Sequence, residues 1–405
     1  MRNRRLLAGS SPGSTINLTD ISSRSSTAGL ESGARRHSSR PLYAIRRHSA
    51  MTRRNPPPLS PSREMSILPA AEKPGEQIMS ETEQRVIFIF PGQGSQYPGI
   101  GSDLCAEFET ARRVYEQASD VLGYDMAKLS GENPDERIHL TRYTQPVLLT
   151  HHIACLSVYR ELADTPLQPA AAAGHSLGEY SALVTAGALS FEDALRLVAR
   201  RGELMGTHGE GEMAALTIDL EGARPLADKH YCGIAGLNLP DQTVVGGAPA
   251  DLDALAAEMA ELHPKKKAIR LKTEGAFHTY YMVSAARHFR EALNQVEFAE
   301  PRIRVLSNYT GGFHESAAES IRSRLFFQLF HPVNWIGCLQ SALDDGMNLF
   351  VEFGGGIGIG SGDGPAEKRP NLEGMIKKFA RRASPRPGYI PAINSATIRA
   401  AAGAE

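Results

Sequence analysis

The chain has 405 residues with a formal net charge of −1, and 41% of its residues are apolar. This composition is typical of a folded globular protein. No run of about eighteen apolar residues occurs, which excludes a membrane-spanning helix and predicts that the protein has no membrane partner. The cysteines are widely spaced and lack the spacing of metal ligands, so we expect reduced thiols in a cytoplasmic protein; they are Cys105, Cys155, Cys232 and Cys338.

The first 63 residues differ in charge from the rest of the chain. They contain 12 Arg, no Lys and two acidic residues, a net charge of about +10, and they are rich in Ser, Pro and Gly. Such a segment buries too little apolar surface to fold, so we expect residues 1–84 to form a disordered extension. Three interpretations are open: a transit peptide, a basic arm that binds polyanions, or an upstream extension before a start at Met65 or Met79. The absence of Lys favours the third.

Strands and helices are expected to alternate after this extension. The apolar run Val86–Phe90 predicts a strand that is buried on both faces. The other elements expected in this part are helices at 102–122 and Gln145–Leu162, and strands directly before Ser176, at Arg304–Asn308 and at Leu349–Phe353. This alternation predicts an α/β fold with a parallel sheet.

Residues 211–272 show a different pattern. Helices are expected near Ala223–Lys229 and over 251–262, between short strands at Met213–Leu220, Gly233–Asn238, Thr243–Gly246 and Ala268–Leu271. The pattern predicts a small α+β unit inserted into a core of residues 85–210 and 273–380. A cleft between the two units is the expected place for a site.

A nucleophile motif lies at Gly174–Gly178, which reads Gly-His-Ser-Leu-Gly. In the pattern G-x-S-x-G, glycines on both sides of the serine permit a sharp turn from a strand into a helix. Such a turn lifts the Ser176 hydroxyl clear of the backbone and directs the N–H of Leu177 at an oxyanion. The pentapeptide alone is weakly specific, so its interpretation depends on other segments.

Three further segments support this interpretation. Phe90–Gln96 reads Phe-Pro-Gly-Gln-Gly-Ser-Gln, Ala194–Gly202 contains Arg-Arg-Gly, and Gly275–His278 reads Gly-Ala-Phe-His. In this order the motifs resemble those of the malonyl-CoA:acyl carrier protein transacylases and the related acyltransferase domains of polyketide synthases. The resemblance runs from about Val86 to about Glu352, with further matches at Gln145-Pro146, Gly211–Leu216, Asn238–Gly247 and Gln328–Trp335.

The resemblance implies a fold and a set of catalytic residues. The fold would be an α/β-hydrolase-like parallel-sheet core with an inserted ferredoxin-like subdomain. Ser176 matches the nucleophile and His278 its general base, and the two would form a dyad because no acid stands at a matching position. In the family, a backbone carbonyl and a nearby glutamine, here Gln328, help to orient the imidazole. The backbone N–H groups of Gln93 and Leu177 would form the oxyanion hole.

Three residues are expected to bind the substrate or line its pocket. Helix phase, counted from an N-cap at Ser190, places Arg201 on the apolar face and Arg200 on the polar face. The family's arginine before glycine is also Arg201, and its guanidinium would bind the malonyl carboxylate. Phe277 is aromatic, which in the family accompanies malonyl rather than methylmalonyl. His175 is expected to form part of the pocket wall, because neighbouring side chains on a tight turn diverge.

The chain departs from the family near its end. The family usually has Gly-Pro-Gly after the last core strand, where this chain has Gly354–Gly356. About sixteen extra residues follow, including Gly358–Leu372, and a flexible linker is favoured over a phosphate loop because no Gly-Lys-Ser/Thr pattern is present. Residues 381–405 show no clear pattern and are expected to form an irregular tail.

The expected reaction is ping-pong transfer of a malonyl group from malonyl-CoA to the phosphopantetheine thiol of an acyl carrier protein, in fatty-acid biosynthesis. The resemblance implies no metal or redox cofactor and no nucleic-acid partner, and we expect a monomer. Carrier proteins are acidic, so a basic patch should bind one. Two clusters are candidates: Lys377, Lys378, Arg381 and Arg382, and Lys265–Lys267 with Arg270.

Other functions are open at this point. One is a stand-alone acyltransferase that serves a polyketide synthase, and another is a serine acyl hydrolase. A cation at Arg201 argues against a lipase-like hydrolase, because it suits an acidic acyl group rather than an alkyl chain. A non-catalytic interaction protein is disfavoured because all the reactive positions are filled.

Overall fold

The computed structural model describes residues 84–358 and 364–404. The extension predicted for residues 1–84 therefore lies outside the described residues, except for its last residue. Within the described ranges, none of the helices has the length and apolar character that crossing a membrane requires. All four cysteines are free thiols, as predicted.

The strands of the described ranges, in chain order, are β1 (Val86–Phe90), β2 (Pro169–Gly174), β3 (Glu212–Leu216), β4 (Gly233–Leu239), β5 (Gln242–Gly247), β6 (Ala268–Leu271), β7 (Arg304–Val305), β8 (Leu349–Phe353), β9 (Ile357–Gly358), β10 (Lys368–Arg369) and β11 (Gly388–Ala392).

The α-helices are α1 (Ser102–Glu107), α2 (Glu109–Leu122), α3 (Met126–Glu132), α4 (Thr141–Leu162), α5 (Gly178–Thr185), α6 (Phe191–His208), α7 (Leu220–Lys229), α8 (Pro249–Leu262), α9 (Val283–Asn294), α10 (Ala318–Gln328), α11 (Trp335–Asp344), α12 (Glu373–Phe379) and α13 (Ser395–Ala402). Short 3-10 helices lie at Pro134–His139, Tyr280–Met282, Pro365–Glu367 and Ala380–Arg382.

A parallel sheet with the strand order β11-β8-β1-β2-β7 forms the centre of the protein. Successive side chains of a strand point to opposite faces. In β1, Phe88 and Phe90 belong to one hydrophobic core, whereas Ile87 and Ile89 belong to the other. The predictions of a parallel sheet and of a first strand buried on both faces are confirmed.

Three elements of the core differ in extent from the prediction. The helix expected at 102–122 is divided into α1 and α2, because Phe108 adopts extended backbone and buries its ring. The helix expected at Gln145–Leu162 begins four residues earlier, at Thr141. The strand expected at Arg304–Asn308 ends at Val305, since the chain leaves the sheet and brings Asn308 beneath the turn that contains Ser176.

The inserted unit forms its own antiparallel sheet, with the strand order β4-β5-β3-β6. Helix α7 joins β3 to β4, and α8 joins β5 to β6. This β-α-β-β-α-β order with an antiparallel sheet is the ferredoxin-like arrangement. The predicted subdomain at residues 211–272 therefore agrees with the strands and helices of the structure.

The prediction of an irregular tail at 381–405 is wrong. Strand β11 pairs with β8 at the edge of the main sheet, and α13 follows it and packs against α4. Pro391 lies within β11 and interrupts the strand pattern in the sequence; an edge strand accommodates it because it needs fewer ladder hydrogen bonds. A capping box between Asn394 and Thr397 starts α13.

The described part of the predicted flexible linker is ordered. Strands β9 and β10 pair with each other, and the N–H groups of Asn371 and Leu372 donate to the carboxylate of Glu352 at 2.8 and 2.9 Å. These contacts join the segment to the core strand β8. Within this segment, residues 359–363 lie outside the described ranges.

Candidate active site

Ser176 lies at the tip of the turn between β2 and α5, where its backbone φ is 51°. A Cβ on Gly174 would lie 1.9 Å from the carbonyl carbon of Gly178, and a Cβ on Gly178 would lie 2.1 Å from the carbonyl oxygen of Phe90. Neither position has room for a side chain. The two glycines therefore permit the close approach that holds Ser176 in the strained backbone of a nucleophile elbow.

His278 contacts Ser176 from the loop that follows β6. Its Nε2 lies 2.7 Å from Ser176 Oγ, and its Nδ1 lies 2.7 Å from the backbone carbonyl oxygen of Gln328. A carbonyl oxygen only accepts hydrogen bonds, so Nδ1 carries the proton and Nε2 presents its lone pair to the hydroxyl. A main-chain carbonyl thus occupies the place that an acid takes in a catalytic triad.

The protonation of His278 follows from its surroundings. Burial, and next the positive charge of Arg201, lower the pKa of His278 to about 3, although the hydrogen bond to the Gln328 carbonyl acts in the opposite direction. The imidazole is consequently neutral at neutral pH. A neutral imidazole with a free Nε2 lone pair can accept the proton of Ser176.

The position of Arg201 on α6 confirms the prediction from helix phase. Ser190 caps the helix by accepting the N–H of Asp193. Arg201 lies on the buried face and is only 1% exposed. Arg200 lies on the exposed face, where it forms an ion pair with Glu203 at 2.7 Å.

The guanidinium of Arg201 lies beside the nucleophile. One of its terminal nitrogens donates to Ser176 Oγ at 3.1 Å and to Gln328 Oε1 at 3.0 Å. Its Nε is buried without a hydrogen-bond acceptor in the described part of the chain. A buried cation with an unused donor is suited to an anionic group that comes from outside the protein.

Gln328 supports the imidazole through a backbone carbonyl, as the resemblance implied, but not through its side chain. Its side-chain amide forms no hydrogen bond with His278 in the described structure, and its backbone carbonyl holds the ring instead. The amide donates to the Ser176 carbonyl at 3.0 Å and to Glu179 at 2.8 Å, while its oxygen accepts from Arg201. One residue thus contacts the nucleophile, the histidine and the arginine.

Sequence reasoning missed the buried group behind the nucleophile. Glu179 is fully buried and accepts from the Asn308 N–H, from Gln328 and from His314 Nε2, at 2.9, 2.8 and 2.7 Å. The side chain of Asn308 accepts the Ser176 N–H at 2.5 Å. The sequence did offer a signal: Glu179 is an acid in the apolar stretch that follows Ser176, and a buried carboxylate requires hydrogen-bond partners.

Gln93 and Leu177 line the same cavity as Ser176. The loop of Gln93 approaches the elbow closely, because a Cβ on Gly92 would lie 2.5 Å from the His175 carbonyl oxygen. The Ser176 N–H is already engaged by Asn308, so it is not the donor for an oxyanion. The placement of Gln93 and Leu177 is compatible with the predicted oxyanion hole.

His175 and Phe277 form parts of the pocket wall. His175 Nε2 lies 2.8 Å from Asn238 Oδ1, and its ring meets the edge of Trp335 at a centroid distance of 5.6 Å. Burial lowers the pKa of His175, although the hydrogen bond to Asn238 opposes this effect. The side chains of His175 and Ser176 thus diverge as predicted. Phe277 is 5% exposed and lines the cavity.

The cavity has a volume of about 730 Å³ and lies between the main sheet and the inserted subdomain. Residues of the subdomain that line it include Ala235 and Val244. Asn371, which precedes α12, and Met375, in its first turn, also line the cavity. The predicted cleft between the two units is therefore present.

The two predicted basic clusters differ in their ion pairs. In the second cluster Arg270 pairs with Glu212 and Asp253, at 2.8 and 2.6 Å. In the first cluster, which is near the cavity, Lys377 pairs with Glu373 and Lys378 with Asp241. Arg381 and Arg382 of the first cluster are exposed.

The elbow, the Ser–His pair and the two-unit architecture are compatible with an acyltransferase. A family model for the acyl transferase domain matches residues 87–353, so the chain belongs to this family and the resemblance found in the sequence is confirmed. A malonyl CoA-acyl carrier protein transacylase of Bacillus subtilis is 36% identical over 307 residues, which are 74% of this chain and 91% of that protein.

Solved structures are similar over the same region. The malonyl-CoA:acyl carrier protein transacylase of Xanthomonas oryzae has a TM-score of 0.70 and 33% identity, over 80% of this chain and 98% of that one. A malonyl-transacylase solved in complex with a type II polyketide acyl-carrier protein has a TM-score of 0.70 and 30% identity, over 79% of this chain and 99% of that one. The predicted hydrolase-like core with its ferredoxin-like insertion is thus confirmed as the family's fold.

Proposed function

We propose that this protein transfers a malonyl group from malonyl-CoA to the phosphopantetheine thiol of an acyl carrier protein. The observation that carries the proposal is Arg201, a buried cation beside the nucleophile whose Nε has no acceptor in the described residues. A malonyl thioester places a carboxylate two bonds from the carbonyl carbon under attack. The carboxylate can therefore reach the guanidinium while that carbon reaches Ser176.

The first half-reaction acylates the enzyme. Ser176 Oγ attacks the thioester carbonyl carbon, and His278 Nε2 takes the hydroxyl proton. The backbone N–H groups of Gln93 and Leu177 donate to the oxyanion of the tetrahedral intermediate. Its collapse breaks the C–S bond, and His278 returns the proton to the sulfur of CoA.

The second half-reaction reverses these steps with the thiol of the carrier protein. The thiol proton passes to His278, the sulfur attacks the malonyl ester, and the proton returns to Ser176 as the ester bond breaks. These groups perform acyl transfer without a further cofactor. Phe277 would crowd an α-methyl group, which supports malonyl over methylmalonyl as the substrate.

Service to a polyketide synthase is the second candidate. The same chemistry applies, and one of the similar solved structures is a complex with a type II polyketide carrier. Hydrolysis of simple acyl esters is disfavoured, because the buried cation suits an anionic acyl group. A cytoplasmic location, a monomeric state and the lack of a nucleic-acid partner stay predictions from the sequence.

Intact-mass analysis after brief incubation with malonyl-CoA tests the proposal. We expect the mass of one malonyl group, located on Ser176 by peptide mapping and lost when a holo carrier protein is added. Ser176→Ala should take up no malonyl group. Acylation of a different residue would overturn the assignment of the nucleophile, and release to water alone would favour the hydrolase.

The carrier protein is proposed to bind beside α12. This helix starts at the cavity, and the exposed Arg381 and Arg382 follow it. Arg381→Glu/Arg382→Glu should raise the KM for the carrier by about tenfold, because opposite charges guide association. The same enzyme should be acylated by malonyl-CoA at the parent rate. Lys265→Glu/Lys266→Glu is the matched control, and an equal effect there would contradict the assignment.

A further inference from the structure

In the free enzyme Ser176 Oγ has two charged or basic neighbours. Its hydroxyl points to His278 Nε2 at 2.7 Å, and Arg201 donates to the same oxygen at 3.1 Å. The oxygen of the nucleophile therefore accepts a hydrogen bond from the same guanidinium that is proposed to bind the malonyl carboxylate. An acceptor that draws the guanidinium away would change the surroundings of both Ser176 and His278.

We propose that Arg201 restrains the Ser–His pair in the free enzyme and that the substrate carboxylate relieves this restraint. The inference rests on the proposed function and adds a second role to Arg201, which then selects the substrate through the rate of acylation as well as through binding. An acyl group without a carboxylate, such as acetyl, would leave the restraint in place. Discrimination would thus be exerted at the nucleophile itself.

The physical reason lies in the charges that move during attack. When Oγ bonds to the carbonyl carbon, its proton passes to His278 Nε2 and the imidazole becomes positive. Arg201 lies one hydroxyl group away, so its unpaired charge opposes this transfer. Its hydrogen bond also occupies a lone pair of the attacking oxygen. A carboxylate on the guanidinium cancels the charge and competes for the N–H.

Among the residues that the structure describes, no carboxylate contacts the guanidinium directly, and the ring of Tyr180 lies 5.7 Å from its carbon. The Gln328 amide lies between Arg201 and the carboxylate of Glu179, with bonds of 3.0 Å to Arg201 and 2.8 Å to Glu179. Within the described residues Glu179 is held by three donors of its own. Arg201 is therefore able to respond to a carboxylate that enters the cavity.

The proposal is tested by supplying the thioester and the carboxylate of the substrate as two separate molecules. Acetyl-CoA provides the thioester, and sodium formate provides the missing carboxylate, with sodium chloride at equal ionic strength as the reference. The step measured is formation of the Ser176 acetyl ester, in which the C–S bond breaks and CoA leaves as the thiol. Formate should accelerate it about tenfold, since a charge within a few ångströms shifts a pKa by about one to three units.

Two variants make the test specific. Arg201→Ala should be acetylated faster than the parent without formate, and formate should not accelerate it further. Arg200→Ala removes a neighbouring arginine that pairs with Glu203 on the exposed face, and it should keep the parent's response. A readout that needs no variant is labelling of the parent by an uncharged fluorophosphonate, which formate should also accelerate.

The outcomes separate this inference from the proposed function. If malonyl-CoA acylates Ser176 but formate changes neither acetylation nor fluorophosphonate labelling of the parent, the restraint is overturned and the transacylase assignment stands. Stimulation that persists in Arg201→Ala would also overturn it. If malonyl-CoA fails to acylate the parent, the proposed function itself fails.

Discussion

At the scale of single residues, the low pKa of His278 predicts an unusual pH profile. Burial and the charge of Arg201 lower this pKa to about 3, so the free enzyme keeps a neutral base far below pH 6.5. Because kcat/KM reports groups of the free enzyme, its value for acylation should change less than about twofold between pH 8 and pH 5. Stopped-flow acylation with malonyl-CoA measures it. A decline with a midpoint near pH 6.5 would contradict this protonation state.

The site features that could be predicted depend on residues that are close together in the sequence. The elbow at Ser176 follows from two glycines, and the burial of Arg201 follows from helix phase. The resemblance implied a backbone carbonyl beside His278, but it did not show that this carbonyl belongs to Gln328, because a main-chain contact leaves no trace in the identity of the residue. The partners of Glu179 come from segments that are distant in sequence, and only folding brings them together.

At the scale of elements, the first residue of α4 joins three segments of the site. The Thr141 N–H donates to Glu274, in the loop that leads to His278. Thr141 Oγ1 accepts from the Gln93 side chain at 3.1 Å. Its carbonyl packs against α6, where a Cβ on Gly202 would lie 2.4 Å from the Thr141 oxygen. Thr141 is therefore placed to position the loop that contains Gln93.

Thr141→Val removes the hydroxyl and keeps the shape of the side chain. Loss of one neutral hydrogen bond is worth about 1 kcal/mol, so kcat should fall about three- to tenfold with malonyl-CoA and acetyl-CoA alike, at unchanged KM. Thr141→Ser retains the hydroxyl and should restore the rate. Rates per acylatable Ser176 exclude effects of misfolded protein. A loss confined to malonyl-CoA, or one that Thr141→Ser does not restore, would show that the hydrogen bond between Gln93 and Thr141 does not position the Gln93 loop for catalysis.

Elements with a clear hydrophobic pattern could be predicted, and elements fixed by long-range contacts could not. The buried strand β1 is a continuous apolar run, and β8 is apolar except for Glu352, whereas β11 is an edge strand with a proline and gains its place by pairing with β8. The break at Phe108 is also tertiary, since the buried ring requires an extended backbone there.

At the scale of the whole molecule, Glu352 ties the late segments to the core. It lies fully buried on β8 and accepts from Asn371 and Leu372 ahead of α12 and from the hydroxyl of Tyr389 on β11. These segments are the ones for which the sequence predicted a linker and a tail. A lone acid in an apolar strand carries no information about which segments will donate to it.

Burial raises the pKa of Glu352 from 4.5 to about 7, although its hydrogen bonds act in the opposite direction. The folded state thus holds a proton that the unfolded chain has lost between these two values. Its contribution to stability is fully present below pH 4.5 and is lost as the pH rises through 7. A shift of this size corresponds to about 3 kcal/mol.

Glu352→Gln carries no charge at any pH, so its stability relative to the parent should depend on pH. Urea unfolding at pH 5 and pH 7.5 gives the difference in the free energy of unfolding between variant and parent at each pH. We expect this difference to move in favour of the variant by about 2 kcal/mol between pH 5 and pH 7.5, because part of the full effect is already lost at pH 5 and only the parent buries a carboxylate at the higher pH. Other titrating groups are common to both proteins and cancel. A difference that is equal at both pH values would show that folding does not raise this pKa and that Glu352 is buried as an ionised carboxylate at both pH values.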